Sequence, residues 1–336
     1  MRSLLEGIPR RSLAALAVAG VALLAAPAIA DAYVLSVLIL CLYFAYVGQA
    51  WNIMMGFAGQ LSLGHSLYVG VGAYVSALLF VKFGVNPWIG ALAAIAVCTA
   101  LGLAIGVLAF RFGIAGVYFA ILTIAFAEFT RIGFDHWQWA GASGGLFLPV
   151  EYRETSDVLT LRGSPAMFYY VMLAFTVGAL ALCRLLLASR LGYYWRAIRE
   201  DAAAAEALGI NAFGCKMAAV ALSAALTALG GVFFAFYYNN LFPEQIFSIG
   251  RSIEIILGPI IGGIGTLIGP IVGAFLLTPL ADSLSELMAW LGIDTPGVKH
   301  VFYGACLLVV VVFLPHGVWP PIARLLGLDG ERTRRG

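Results

Sequence analysis

Charged residues are scarce in this sequence. Lys, Arg, Asp and Glu make up 11% of the 336 residues, and hydrophobic residues make up 62%. Soluble domains contain about 25% charged residues and roughly 45–50% apolar ones, so this composition excludes an ordinary soluble fold. A membrane-spanning helix needs about 20 apolar residues. The chain is therefore long enough for about ten spans, with little sequence left for a soluble domain.

The sequence also lacks the motifs of enzymes and metal sites. It contains no HExxH, GxSxG or GK[ST] motif, and its four histidines lie far apart. Its net charge is +2, and its one short basic run is the terminal ERTRRG, so nucleic-acid binding is not expected. We expect no catalytic residue, no metal and no cofactor bound by this chain. The five cysteines occur singly, and we expect buried thiols at Cys41, Cys98, Cys183, Cys215 and Cys306.

Long apolar runs separated by glycine, proline or charge predict an all-α, polytopic membrane protein that forms a single domain over residues 1–336. Ten helices are predicted near 12–30, 33–54, 60–81, 87–110, 115–133, 166–188, 214–238, 251–268, 270–291 and 299–314. Two longer polar connections remain, residues 135–165 and residues 189–213. The glycine-rich run 258–274 follows no strand, so it predicts a tight hairpin or kink between helices and not a nucleotide site.

The distribution of basic residues predicts the orientation in the bilayer. With ten crossings and the N-terminus inside, 12 of the 19 Lys and Arg residues fall on cytoplasmic segments, as the positive-inside rule requires. Both termini and residues 189–213 are then cytoplasmic in a cell (inner) membrane, and residues 135–165 are external. Residues 28–30 also resemble a signal-peptidase site, but 12–30 is long enough to span, and we expect this helix to be retained.

The stretch GFAGQLSLGHSLYVGVGAYVSALL, residues 56–79, places polar groups inside the apolar sequence. The small residues at 62, 66, 70, 73 and 77 share one helical face, which predicts close packing against a neighbouring helix. An amide or imidazole without a partner is costly in hydrocarbon. We therefore expect a broken helix start in which Gln60, Ser62 and His65 line or support a translocation path, with His65 hydrogen-bonded within the protein.

Four acidic residues lie within predicted spans: Asp282 and Glu286 follow Pro279 toward the outer end of one span, and Glu128 and Glu254 each have an arginine three residues away. Glu128 precedes Arg131, and Glu254 follows Arg251. Residues at this spacing share a helix face and neutralise each other. We expect structural ion pairs at both positions.

Residues 193–208 predict a short amphipathic helix in the cytoplasmic connection, closed by Gly209 as the C-cap. Trp195, Ile198, Ala202, Ala205 and Gly209 lie on one face, and Arg196, Arg199, Glu200 and Glu206 on the other. Such a helix lies on the lipid surface or docks into a groove of a protein partner. Its mixed charge and small alanine face favour docking.

Several strings of residues resemble the LivM/LivH family of permeases from branched-chain amino-acid ABC importers, and its LivM-like members in particular. The strings occur in the family's order along nearly the whole chain, from about residue 33 to 318. The strings are GQLSLGH (59–65), GVGAY (70–74), GVYFA (116–120), AFAE (125–128), RAIRED (196–201), EALGI (206–210), SIEI (252–255) and GGIGT (262–266).

The resemblance implies an importer subunit whose energy comes from its partners. These are a LivH-like second permease subunit, two cytoplasmic ATP-binding subunits that bind ATP with Mg²⁺, and a periplasmic or extracellular substrate-binding protein. It implies that residues 189–213 couple the permease to the ATPases through Arg196, Arg199, Glu200, Asp201, Ala205, Glu206 and Gly209. Loops of this kind carry an EAA-type pattern, and this sequence departs from it, because Ala203 stands where the glutamate is expected. Glu206 is the acidic residue nearest to Gly209.

The residues leave the cargo open. A branched-chain or other aliphatic amino acid is the first expectation, and urea or a short amide carried by a permease of the same family is the alternative. A stand-alone secondary transporter or channel, a different class, would need a coupling-ion site at buried acids or at unwound backbone near the midplane.

Overall fold

The computed structural model describes residues 10–149, 157–290 and 298–325, and this part of the chain is almost entirely helical. The helices are α1 (Arg10–Ile29), α2 (Ala32–Asn52), α3 (His65–Phe83), α4 (Pro87–Arg111), α5 (Val117–His136), α6 (Pro165–Ala188), α7 (Arg190–Glu200), α8 (Ala202–Ala207), α9 (Ala212–Tyr238), α10 (Pro243–Ile246), α11 (Ile249–Gly262), α12 (Gly269–Trp290), α13 (Val298–Phe313) and α14 (Trp319–Leu325).

Eight segments of the described chain are long and apolar enough to cross a membrane, and shorter apolar helices lie at Gly20–Ile29 and Val301–Val310. The spans are Ala32–Phe57, His65–Phe83, Pro87–Arg111, Val117–His136, Pro165–Ala188, Ala212–Tyr238, Pro243–Gly262 and Gly269–Met288. The all-α, polytopic fold class predicted from the sequence is confirmed. Four of the cysteines are buried free thiols, and Cys306 is half-buried.

Helices α2, α3 and α9 form the centre of the fold, and glycines let α3 and α9 approach closely. A Cβ on Gly72 would lie 2.5 Å from the carbonyl oxygen of Ala228, and one on Gly231 would overlap the carbonyl oxygen of Val69. In lipid, where burying apolar surface gives little drive between helices, this backbone contact supplies the packing. The small-residue face predicted from the sequence is buried from Ser66 onwards.

Replacing Gly72 with alanine should lower the thermal stability of the detergent-solubilised protein. The added methyl group meets backbone, which cannot rotate away, and overpacking of this kind costs about 1–3 kcal/mol. Gly178→Ala on α6 is the matched control, because a Cβ at Gly178 has no neighbour within 4 Å. Differential scanning fluorimetry should show a lower melting temperature for Gly72→Ala alone. Equal melting curves would contradict the backbone contact.

One end of the helices carries a small folded cap. Strand β1 (Leu146–Phe147) pairs antiparallel with β2 (Asn240–Leu241). Tyr74 donates to Leu241 O at 2.9 Å, and the Trp88 indole donates to Val158 O at 2.9 Å. The predicted external connection 135–165 is thus folded onto the helix ends within its described residues, and 150–156 lie outside them.

Most predicted helices agree with the structure to within a few residues, but three predictions are wrong. The helix predicted over 60–81 begins at His65, because 58–64 form the broken start that was expected from the polar residues, so Gln60 and Ser62 are not helical. The helix predicted over 251–268 ends at Gly262, because Gly263 and Gly265 take positive φ. The single helix predicted over 193–208 is two helices, because Asp201 is extended and caps α8.

Candidate functional site

The break that follows α2 has a specific backbone path. The helix continues past Asn52 as one π-helical turn, Ile53–Phe57, and then stops until His65. Gly59 takes φ +70°, and Gln60 N donates to Met54 O at 2.9 Å. A π-turn next to unwound backbone within a span is typical of functional sites in membrane proteins. This turn places the polar residues of the 56–79 stretch inside the protein.

His65 is the centre of a buried hydrogen-bond network that joins three helices. Its side chain is completely buried, and Nε2 lies 2.9 Å from Ser223 Oγ on α9. Ser223 Oγ donates to Ala50 O at 2.7 Å, so its one proton is used and it accepts from His65 Nε2–H. The other ring nitrogen, Nδ1, lies 3.1 Å from Ser62 Oγ. A neutral ring that donates through Nε2 and accepts at Nδ1 satisfies every group.

Gln60 and Ser62 are also buried and have partners within the chain. Gln60 Nε2 donates to Ala58 O at 2.9 Å, and the backbone carbonyl of Ser62 accepts from the Trp51 indole at 2.8 Å. The structure therefore brings Gln60, Ser62 and His65 together at the break. Their part in a translocation path stays a prediction.

The start of α3 is tied to α11 by two serines. Ser66 N donates to Ser252 Oγ at 3.0 Å, and Ser66 Oγ donates to Phe247 O at 3.0 Å. Ser252 Oγ also donates to Ser66 Oγ at 2.9 Å. These bonds satisfy backbone groups that a helix start leaves unpaired. Ser252 was not predicted as a site residue, since nothing in its spacing pairs it with a residue 186 positions away.

A second break, residues 263–268, lies against the first. Asn52 Oδ1 accepts from Gly265 N at 2.9 Å, and Asn52 Nδ2 donates to Thr266 O at 2.9 Å. Gln49 Nε2 donates to Leu267 O one turn earlier. Neither amide was predicted as a site residue. Their signal was two amides one turn apart in an otherwise apolar span, where each needs a polar partner.

Helices α7 and α8 form a hairpin beneath these two breaks, and its alanine face turns inward. Trp195, Ile198 and Ala205 are buried. They belong to a cluster with residues of the first break, α6 and α9, namely Ile53, Phe57, Ala58, Cys183, Ala212, Cys215 and Ala219. The interpretation of this face as a docking surface for another protein is therefore corrected. Ala205 supports the hairpin from inside, and the surface left for a partner is the opposite one.

Arg199 extends from the hairpin into the space between the two breaks. Its Nη1 donates to Gly56 O at 2.5 Å. A Cβ on Gly265 would lie 2.5 Å from the same nitrogen, and one on Gly59 would lie 3.0 Å from Arg199 Cγ. Glycine at these two positions makes room for the guanidinium and its stem. One side chain of α7 thus contacts both unwound segments.

The other predicted coupling residues lie on the exposed side of the hairpin. Asp201 caps α8 by accepting from Ala203 N and Ala204 N. Arg196 donates to Leu187 O at 3.1 Å. The outward surface carries charges of both signs, and its Leu208 is 83% exposed. Its exposed residues are Arg196, Glu200, Ala203, Ala204, Glu206, Leu208 and Gly209. Gly209 takes φ +84° and ends the hairpin, as its predicted C-cap role requires.

The two expected ion pairs are present, away from the breaks. Arg131 contacts both carboxylate oxygens of Glu128 through Nε at 3.0 Å. Arg251 Nη1 donates to Glu254 Oε2 at 2.8 Å. Within the described residues, no group of three or more His, Cys, Asp and Glu side chains is placed to hold a metal ion.

Comparison with known proteins gives consistent matches. A family model described as a branched-chain amino acid transport system permease component matches residues 33–311. The high-affinity branched-chain amino acid transport system permease protein LivM of Escherichia coli (strain K12) is 26% identical over 302 residues, which cover 84% of this chain and 68% of that protein. The corresponding protein LivH of Salmonella typhimurium is 24% identical over 299 residues, 82% of this chain and 90% of LivH. No solved structure matches the chain.

Proposed function

The chain belongs to the family of branched-chain amino acid transport permease components, and from this premise we propose that it is the membrane-spanning permease subunit of an ATP-driven importer for branched-chain or other aliphatic amino acids. The observation that carries the proposal is the family match over residues 33–311. That range runs from α2 into α13 and includes both breaks and the α7–α8 hairpin. The match therefore covers the whole of the candidate site.

The proposed assembly contains four kinds of subunit. This chain, as a single permease domain over residues 1–336, pairs with a second permease subunit similar to LivH, and both LivM and LivH are among its relatives. Two cytoplasmic subunits bind ATP with Mg²⁺, and an external binding protein delivers the solute. The positive-inside bias supports a cytoplasmic position for residues 189–213 and for both termini.

The exposed side of the hairpin is the surface that we assign to the ATP-binding subunits. It lies on the same side of the helices as the two breaks, because Trp195 and Arg199 bond to residues at the ends of α9 and α2. Its charges of both signs and the exposed Leu208 give it both polar and apolar contacts, as protein interfaces have. The β1–β2 cap lies at the opposite ends of the helices, where an external binding protein would dock.

In the proposed mechanism, closure of the ATP-binding subunits pushes the α7–α8 hairpin toward the membrane. Arg199 transmits this displacement to Gly56 and to the 263–268 turn. The first break continues into α3 through the His65 network, and the second continues into α12. Rigid helices moved at unwound junctions exchange outward-open and inward-open states, as in alternating access.

Proteoliposomes test the proposal directly. With the second permease, the ATP-binding subunits inside and the binding protein outside, radiolabelled leucine should accumulate only when ATP is present. The same chain reconstituted without partners should show no uptake under a sodium or proton gradient. ATP-dependent uptake of urea in place of leucine would overturn the assigned cargo. Gradient-driven uptake by the chain alone would overturn the transporter class.

A further inference from the structure

Helix α5 carries an exposed apolar stripe interrupted by one carboxylate. The stripe runs along one face of the helix, and Glu128, with half of its side chain exposed, lies in its middle. The exposed residues of the stripe are Val117, Ile121, Ala125, Glu128 and Ile132. Spacings of four, four, three and four place them on one side of the helix.

The depth of Glu128 makes this exposure informative. At a rise of 1.5 Å per residue, Glu128 lies about 16 Å from the start of a helix that is roughly 30 Å long. That position is near the middle of a typical hydrocarbon layer. A charged group there faces protein or water, since lipid does not solvate it. The Glu128 face of α5 therefore does not face lipid in the working protein.

The ion pair around Glu128 keeps spare negative charge. Arg131 binds both Glu128 oxygens, and its Nη1 donates to Asp135 Oδ2 at 2.6 Å. One cation is thus shared between two carboxylates. The comparable pair on α11, Arg251 and Glu254, is different, because its side chains are 21% and 19% exposed and Arg251 lies over the Phe234 ring. That pair is enclosed by its own chain.

The opposite face of α5 rests on the first break. Thr123 Oγ1 accepts from Leu63 N at 3.1 Å, and a Cβ on Gly64 would overlap the Thr123 carbonyl oxygen. Displacement of the break therefore moves α5. The charged face of α5 is mechanically connected to the segment that Arg199 contacts.

We propose that the stripe on α5 lines the solute path and that Glu128 and Arg131 form a transient site for a zwitterionic amino acid. The inference rests on the proposed function, and it adds the residues that receive the amino acid on its way through the membrane. The ammonium group of the solute binds the Glu128 carboxylate, and its carboxylate binds the Arg131 guanidinium, which Asp135 continues to orient. The internal ion pair opens and each charge keeps a partner of opposite sign. A neutral solute such as urea offers neither charge and leaves the pair closed.

Thiol labelling tests whether this face of α5 is accessible to water. In the assembled transporter in membranes, Ala125→Cys should react with a membrane-impermeant methanethiosulfonate reagent at least about tenfold faster than Ala100→Cys, an exposed alanine in the middle of α4 that we expect to face lipid. Leucine at saturating concentration should slow the reaction at position 125, and urea should not. Equal rates at the two positions would overturn the inference.

Uptake by neutralised variants tests the ion pair itself. The double variant Glu128→Gln/Arg131→Gln removes both charges of the pair, so that only Asp135, in the last turn of α5, loses its cation. We expect its ATP-dependent leucine uptake to fall at least about tenfold. Glu286→Gln, at an exposed carboxylate of α12, should stay within about twofold of the wild type. Wild-type uptake by the double variant, with a wild-type melting curve, would overturn the inference and leave the proposed function intact. If the wild-type assembly takes up no amino acid, the proposed function itself is contradicted. Should the double variant not fold, the labelling result decides.

Discussion

Replacing Arg199 with alanine is expected to abolish ATP-dependent uptake while the protein still inserts and the partner subunits still hydrolyse ATP. Arg199 is the side chain of α7 that contacts both breaks, through Gly56 O and beside Gly265. A hydrogen bond to a charged group contributes about 1.5–3 kcal/mol. Its loss removes this polar link while the apolar cluster around Trp195 keeps the hairpin in place, so we expect movement of the hairpin no longer to be transmitted across both breaks.

Arg190→Ala is the matched control for this experiment. Arg190 begins the same helix and is exposed, so its removal changes the charge of the hairpin equally and leaves both breaks in contact with Arg199. Uptake and ATP hydrolysis should be measured in the same proteoliposomes, so that a fall in uptake per ATP hydrolysed reports lost coupling. Unchanged uptake by Arg199→Ala would show that Arg199 does not transmit the movement of the hairpin to the two breaks.

Arg199→Lys distinguishes charge from shape at the same position. Lysine keeps the positive charge but lacks the planar guanidinium, which donates in several directions at once. The two glycine turns leave room for a flat group between them. We expect Arg199→Lys to retain only a minor part of the uptake, since a single ammonium group contacts one break at a time.

Local sequence patterns predicted much of the fold because a membrane restricts the chain to long apolar helices. Apolar length and flanking glycine, proline or charge define a span, and helices such as Pro87–Arg111 and Pro165–Ala188 were predicted to within a residue. The break near His65 was expected from three glycines around buried polar residues. The ion pairs of Glu128 and Glu254 followed from spacing along one helix.

The partners of the buried polar residues could not be predicted, because they come from distant parts of the chain. Asn52 bonds to Gly265 and Thr266, more than 200 positions away in sequence. His65 bonds to Ser223, 158 positions away. A single sequence shows that a buried amide or imidazole needs a partner but does not identify it.

The inward face of the hairpin was predicted to be apolar, but the elements that cover it were not predicted. The amphipathic pattern around Trp195 was recognised, yet the apolar side was assigned to a separate protein. A hydrophobic stripe indicates that a helix face is covered, and the same stripe would serve a partner or the remainder of the chain. In this fold, α6, α9 and the π-turn after α2 cover it.

Trp195→Ala is expected to release the α7–α8 hairpin from the helices above it and to abolish uptake. Trp195 is completely buried, and its indole donates to Cys215 O at 2.8 Å. Truncating a buried tryptophan costs about 3–5 kcal/mol, and here it also leaves the Cys215 carbonyl without that donor. Trypsin added to inside-out vesicles should then cut within residues 190–210 faster than in the wild type. Tyr194→Ala, at a neighbouring aromatic that is 39% exposed, should leave the hairpin protected.

The Trp195 and Arg199 variants lose uptake for different reasons, and trypsin separates them. Arg199→Ala keeps Trp195, Ile198 and Ala205 buried, so its hairpin should remain as resistant to trypsin as that of Arg190→Ala, which lacks one cleavage site as well. Trp195→Phe keeps most of the buried volume and loses the bond to Cys215 O, so its cleavage rate should lie between those of the wild type and Trp195→Ala. Equal resistance in Trp195→Ala and the wild type would show that the hairpin is held by other contacts. In Arg199→Ala, we expect a hairpin that stays in place but no longer drives uptake. That result would show that Trp195 attaches the hairpin to the helices and that Arg199 transmits its movement to the breaks.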